Sequence, residues 1–104
     1  MKYVIAAAVA AILSAGPALA AEIEVTQKGK EFSTNTITAK VGDVIVFHND
    51  DQVAHNVHSS TDGHRFNLGL QQPGDSARLE LADDGTIAIR CAVHPKMKLN
   101  VTVK

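Results

Sequence analysis

Thr36-Ile37-Thr38-Ala39-Lys40-Val41-Gly42-Asp43-Val44-Ile45-Val46-Phe47-His48-Asn49 holds two runs rich in β-branched residues on either side of a turn signal. Thr, Ile and Val suit a pleated, half-buried surface, and Val41-Gly42-Asp43 punctuates the chain between them. Two strands are predicted, Thr36–Ala39 and Val44–Asn49. Upstream, Ile23 and Val25 alternate with Glu22 and Glu24 and predict a third. Downstream, Arg78-Leu79-Glu80-Leu81 alternates, Asp83-Asp84-Gly85 turns, Thr86 to Arg90 runs back, and Leu99 to Val103 closes the chain. Six to eight strands are expected at the usual sandwich spacing. Beyond the first twenty residues no stretch sustains a helical period, although Asp50 to Ala54 and Pro95 to Lys98 each have room for one turn. The expected fold class is all-β, a single-domain antiparallel Greek-key β-sandwich. Ser59 to Gly74, richer in polar and turn residues, reads as a long connection with at most a short strand, anchored by Phe66, Leu68 and Leu70.

The amino terminus has a different character. Lys2 precedes the apolar run Val4 to Leu13, followed by Ser14, Gly16, Pro17 and Ala18-Leu19-Ala20. That is the layout of a secretory signal peptide over residues 1–20, with cleavage after Ala20, and the run is too short to cross a bilayer as a helix. The remaining domain, residues 21–104, carries no further stretch able to span a membrane. At about 84 residues its core is marginal unless something else, such as a bound metal, adds stability. Loss of Lys2 takes the balance of 10 basic against 11 acidic residues to about −2, which argues against a nucleic-acid partner. Cys91 is the only cysteine, so no disulfide can form within the chain even in an oxidising compartment. Its neighbours must explain it.

Those neighbours are Cys91-Ala92-Val93-His94-Pro95-Lys96-Met97, a thiolate, an imidazole and a thioether at intervals of three. A short loop at a strand end can point all three at one ion. Copper(I) favours soft sulfur and copper(II) favours imidazole, so a site with both types holds the metal in either state. The best candidate for a second imidazole is His55, in Asp51-Gln52-Val53-Ala54-His55-Asn56-Val57. It follows the strand Val44–Asn49, which is expected to lie beside the strand ending at Cys91.

Phe32 to Asp43, followed by Val44 to Asn49, resembles the first half of the small cupredoxins, type 1 copper proteins of the plastocyanin and amicyanin kind. The loop Cys91-x-x-His94-x-x-Met97 has the compact spacing of amicyanin, and the resemblance runs over nearly all of residues 21–104. It implies that His55, Cys91, His94 and Met97 are the ligands of one copper ion, and that Asn56 hydrogen-bonds across to the cysteine loop. Phe66-Asn67-Leu68-Gly69-Leu70 before Pro73-Gly74 also resembles exported proteins linked to methylamine use or copper tolerance. Two departures stand out: Ile89 occupies a position where many of these proteins carry an aromatic ring, and His48, His58 and His64 are surplus to a one-copper pattern.

His48 alternates with Phe47, so an inward Phe47 turns His48 to the surface. His58 and His64 flank the turn Thr61-Asp62-Gly63, where Asp62 would complete a second, more exposed metal site. The function implied is an exported, periplasmic one-electron carrier, a monomer meeting redox partner proteins transiently, with no nucleic acid or membrane partner. The alternative is a periplasmic copper-binding protein for tolerance or delivery. Catalysis is not expected, since the domain has little room for a substrate cleft, and zinc is a poor match for a methionine ligand.

Overall fold

The computed structural model describes residues 19–104, so the leader expected over residues 1–20 lies, apart from Leu19 and Ala20, outside the described residues. These residues form nine strands: β1 Glu22–Lys28, β2 Glu31–Phe32, β3 Thr36–Ala39, β4 Val44–Asn49, β5 His55–Ser59, β6 Phe66–Gln71, β7 Ser76–Glu80, β8 Gly85–Arg90 and β9 Lys98–Val103. The count exceeds the expected six to eight because the two-residue β2 forms and because β6 is a full strand within the expected Ser59–Gly74 connection.

The strands make two sheets, a four-stranded one in the order β2-β1-β4-β7 and a five-stranded one in the order β3-β9-β8-β5-β6. Alternation sends Val25, Ile45 and Phe47 from one sheet, and Val57, Ile87, Ile89, Leu99, Val101 and Val103 from the other, into one shared core. Phe32 meets Phe47 edge-on, with ring centroids 6.1 Å apart, an arrangement favoured by the ring quadrupoles. Ile89 is fully buried.

The sandwich is not antiparallel throughout, because β1 pairs parallel with β4 and β3 pairs parallel with β9. Neither pair is joined by a hairpin: each partner arrives after a crossing, and a crossing leaves strand direction free. The Val41-Gly42-Asp43 turn forms as predicted. Asp43 N–H donates to Lys40 C=O at 3.0 Å, and Gly42 takes the φ of 95° that a side chain would resist. The Asp43 carboxylate accepts from the backbone N–H groups of Lys40 and Ala21. Those bonds, Lys40 first, hold its carboxyl below the usual range.

A bulge in β6 decides what faces the core near β5. His55 pairs with Gln71 and Asn56 with Leu70, whereas His58 pairs with Asn67, so β6 carries one extra residue opposite Val57. Gly69, at φ 84°, absorbs it. A shift of one residue reverses every side chain beyond it. Phe66 and Leu68 therefore pack on the core as expected, while Leu70 is 58 % exposed and Gln71 is buried in its place.

His48 behaves as a surface residue beside a buried Phe47, its Nε2 2.7 Å from Glu24 Oε1 and its Nδ1 2.8 Å from Ser76 Oγ. The contrast between core and surface is measurable by urea unfolding. Ile89→Ala is expected to lower stability by about 2–5 kcal/mol, and His48→Ala to stay within about 0.5 kcal/mol of the parent.

Candidate metal centre

His55 and Cys91 meet because their own strands are neighbours. β5 lies beside β8 in the five-stranded sheet, running antiparallel with His58 opposite Arg90. The start of β5 and the end of β8 thus emerge at one edge. The expected neighbour, β4, lies in the other sheet: after Asn49 the chain crosses between sheets before His55, a crossing that the hydrophobic pattern does not register.

Beyond Cys91 the chain folds back at once, with Met97 N–H donating to His94 C=O at 2.9 Å. The turn brings His94 over Cys91 and returns the Met97 side chain to the interior, where it is 1 % exposed among the core residues. His55 Nδ1 lies 3.1 Å from His94 Nδ1, and Cys91 Sγ lies 3.9 Å from the first and 4.0 Å from the second. A triangle with those edges has its centre about 2.1 Å from each corner, within the reach of metal–imidazole and metal–thiolate bonds, about 2.0–2.3 Å.

The protonation pattern fits a cation at that centre. His55 Nε2 is 2.8 Å from Asp51 Oδ2, and an ionised carboxylate only accepts, so Nε2 carries the proton and Nδ1 presents a lone pair. Asp51 is held far below the usual carboxylate range, chiefly by the His55 hydrogen bond and then by the Lys30 backbone N–H. His94 is shifted toward its neutral form, chiefly by burial. Two nitrogen lone pairs at such a distance repel unless a proton or a metal ion lies between them. Cys91, 1 % exposed, receives the Asn56 backbone N–H on its sulfur at 3.3 Å. Two imidazoles, one thiolate and a buried thioether match the donor set of copper electron-transfer sites.

Asn56 bridges two segments of the chain. Its Oδ1 accepts from Ala92 N–H at 3.4 Å, while its Nδ2 donates to Asn67 Oδ1 and Gly69 C=O, so one side chain ties the bulge in β6 to the cysteine loop. Asp51 is the residue that the sequence reading missed; the available signal was a carboxylate four residues before His55 in a short turn. A buried polar row was missed as well. Gln27 Nε2 donates to Gln71 Oε1, Gln71 Nε2 to Phe47 C=O, and Asn49 Nδ2 to both Val53 C=O and Gln71 C=O.

The surplus histidines do not join the centre. Among the described residues, the one cluster of three or more His, Cys, Asp or Glu donors within 4.8 Å of one another is His55, Cys91 and His94. His58 stands on β5 opposite Arg90 and Asn67. Asp62 is paired with Arg65 at 2.8 Å, and His64 lies against Gly85. The three do not converge on one point.

With this geometry in view, the relatives of the chain are informative. The sequence profile of copper binding proteins of the plastocyanin/azurin family matches residues 19–104. Methylamine utilization protein MauL of Methylorubrum extorquens is 36 % identical over 91 residues, which is 85 % of this chain and 80 % of the relative. Among solved structures, a purple cupredoxin from Nitrosopumilus maritimus superposes with a TM-score of 0.70 at 23 % identity, covering 79 % of this chain and 99 % of the other. A copper(I) form of an amicyanin variant does so with a TM-score of 0.74 at 23 % identity, covering 80 % and 82 %. Those structures share the fold, and the profile and the MauL match carry the kinship: the chain belongs to the plastocyanin/azurin family of copper-binding proteins.

Proposed function

We propose that His55, Cys91, His94 and Met97 hold one copper ion and that the protein is an exported, periplasmic electron carrier docking transiently, as a monomer, on its donor and acceptor. The observation that carries this reading is the triangle of two imidazole nitrogens and one sulfur with edges of 3.1, 3.9 and 4.0 Å. Copper so held supplies a one-electron couple, copper(I) with copper(II).

The protein's own groups divide the remaining tasks. His55, fully buried and fastened to Asp51, fixes one side of the site. His94 is half-buried, so its ring is the ligand nearest solvent and the exit for the electron. Val93, next to His94 in the chain, is 50 % exposed, and Val53, two residues before His55, is 38 % exposed; exposed apolar side chains of this kind suit brief association. Lys30 and Lys96 act on His94 electrostatically, opposed by the less exposed Asp51, and their side chains give this end a basic rim on an otherwise acidic domain. A partner with an acidic docking face fits that rim.

Catalysis is no part of the proposal. Cys91 is buried with its sulfur already engaged by the Asn56 N–H, a poor position for a nucleophile that must meet a substrate. The name of the MauL relative supports methylamine utilization as the setting. Nothing in the placement of His58, Asp62 and His64 favours the tolerance-or-delivery alternative.

Two measurements check this reading. After addition of copper(II), the protein from Ala21 onward is expected to show intense thiolate-to-copper absorption near about 450 or 600 nm, abolished in Cys91→Ser. A colourless parent, or colour indifferent to Cys91, refutes the ligand assignment. In stopped-flow oxidation, Lys30→Glu/Lys96→Glu is expected to react about tenfold more slowly than the parent with anionic ferricyanide at low salt and faster with a cationic cobalt complex, the difference fading as salt is added. Equal rates with both oxidants would remove the basic rim from the docking surface.

A further inference from the structure

Asp51 belongs to none of the four ligand positions, yet it is the most heavily engaged carboxylate near them. Its Oδ2 accepts from His55 Nε2–H and from the Lys30 backbone N–H, each at 2.8 Å, and its Oδ1 accepts from Gln52 N–H at 2.9 Å. Its own N–H donates to Asn49 Oδ1 at 2.9 Å. Asn49 in turn is fully buried and fixed by the carbonyls of Val53 and Gln71. The Lys30 N–H reaches Asp51 because the turn between β1 and β2 carries Lys30 at φ 60°, a left-handed conformation rare outside glycine. The carboxylate is thus clasped from two loops, and its side chain is 14 % exposed, so water screens its charge poorly.

An anion in that position acts on the centre through one imidazole. Accepting the Nε2 proton pushes electron density toward Nδ1 and makes it a stronger donor. A negative charge also stabilises the more positive oxidation state of a nearby metal more than the less positive one. Both effects have the same sign.

We infer that the Asp51 carboxylate, acting through His55, favours copper(II) over copper(I) and sets the reduction potential of the centre below the value that the four ligands alone would give. Asp51 is a positioning and tuning residue in this scheme and never touches the metal. The inference rests on the ligand assignment proposed above.

The test is the midpoint potential of the copper-loaded protein, followed by spectroelectrochemistry in the parent, Asp51→Asn and Asp51→Glu. The amide keeps the size of the side chain and one acceptor oxygen but removes the charge. Asp51→Asn is expected to shift the ratio of copper(I) to copper(II) at fixed applied potential at least tenfold toward copper(I), which is an upward shift of about 59 mV for one electron. Asp51→Glu is expected to restore most of the difference. A ratio within about threefold of the parent, with only the melting temperature lowered, would reduce Asp51 to a structural clasp and overturn the inference.

A measurement on the unaltered protein guards against a variant that does not fold. In the diamagnetic copper(I) form, proton–nitrogen NMR is expected to find a slowly exchanging proton on His55 Nε2, and its absence would also overturn the inference. The ligand assignment fails separately. A parent without Cys91-dependent colour sinks both proposals, whereas a coloured parent whose potential ignores Asp51→Asn sinks only this one.

Discussion

Two imidazole nitrogens and a cysteine sulfur held within about 4 Å of each other, away from bulk water, make an arrangement that a polypeptide does not adopt for its own sake. Without a cation between them, their lone pairs repel and their lost hydration is not replaced. The chain must therefore impose the geometry by other means. It does so by making β5 and β8 neighbours, by bulging β6 at Gly69, and by running the Asn56 side chain from that bulge to the cysteine loop. Asp51 and the turn at Lys30 close the remaining side. Most of the irregular backbone at this end serves the same small triangle.

The parts of this arrangement that the sequence discloses are the local ones. Cys91, His94 and Met97 are legible because they share one loop, and a spacing of three needs no tertiary knowledge. The strands Thr36–Ala39 and Val44–Asn49 appear at their predicted positions because alternation and the Gly42 turn are written within a few residues. What depends on the path of the chain between sheets is hidden. Nothing in Val44–Asn49 announces that it joins β1 and β7 rather than the strand of Cys91. Leu70 looks like a core residue until Gly69 inserts its extra position and turns the phase over, exposing Leu70 and burying Gln71. Asp51 has the composition of an ordinary loop carboxylate, and only its distance to His55 distinguishes it.

Hydrophobic patterning is also blind to the row of buried amides beneath the centre. Gln27, Asn49 and Gln71 sit at or below 3 % exposure, where a reader of periodicity would want aliphatic residues. Burying amides is costly unless they are paired, and these pair with one another and with the carbonyls of Phe47 and Val53. Among the described residues, the one buried side-chain oxygen or nitrogen without a protein partner is Gln27 Oε1. An aliphatic row would fill the space with less demand on geometry. Directional bonds, in contrast, specify where the β4–β5 loop must sit, and Asn49 passes that specification directly to Asp51. The gain is in position rather than in stability.

Position is what distinguishes the two imidazoles. His55 is fully buried and fastened at both ends, by Asp51 at Nε2 and by the strand pairing of its backbone with Gln71. His94 is half-buried on a turn, between the exposed Val93 and Pro95, with the charges of Lys30 and Lys96 acting on it. A carrier needs both kinds of ligand: one that holds its place when the metal changes charge, and one that reaches the surface where a partner can approach. If both were buried, the electron would have to cross more protein. If both were exposed, water and loop motion would relax the site at each change of charge and slow the transfer. The sandwich separates the roles by taking one ligand from the start of a paired strand and the other from the loop after β8, and the compact spacing from Cys91 to Met97 leaves that loop little freedom to drift.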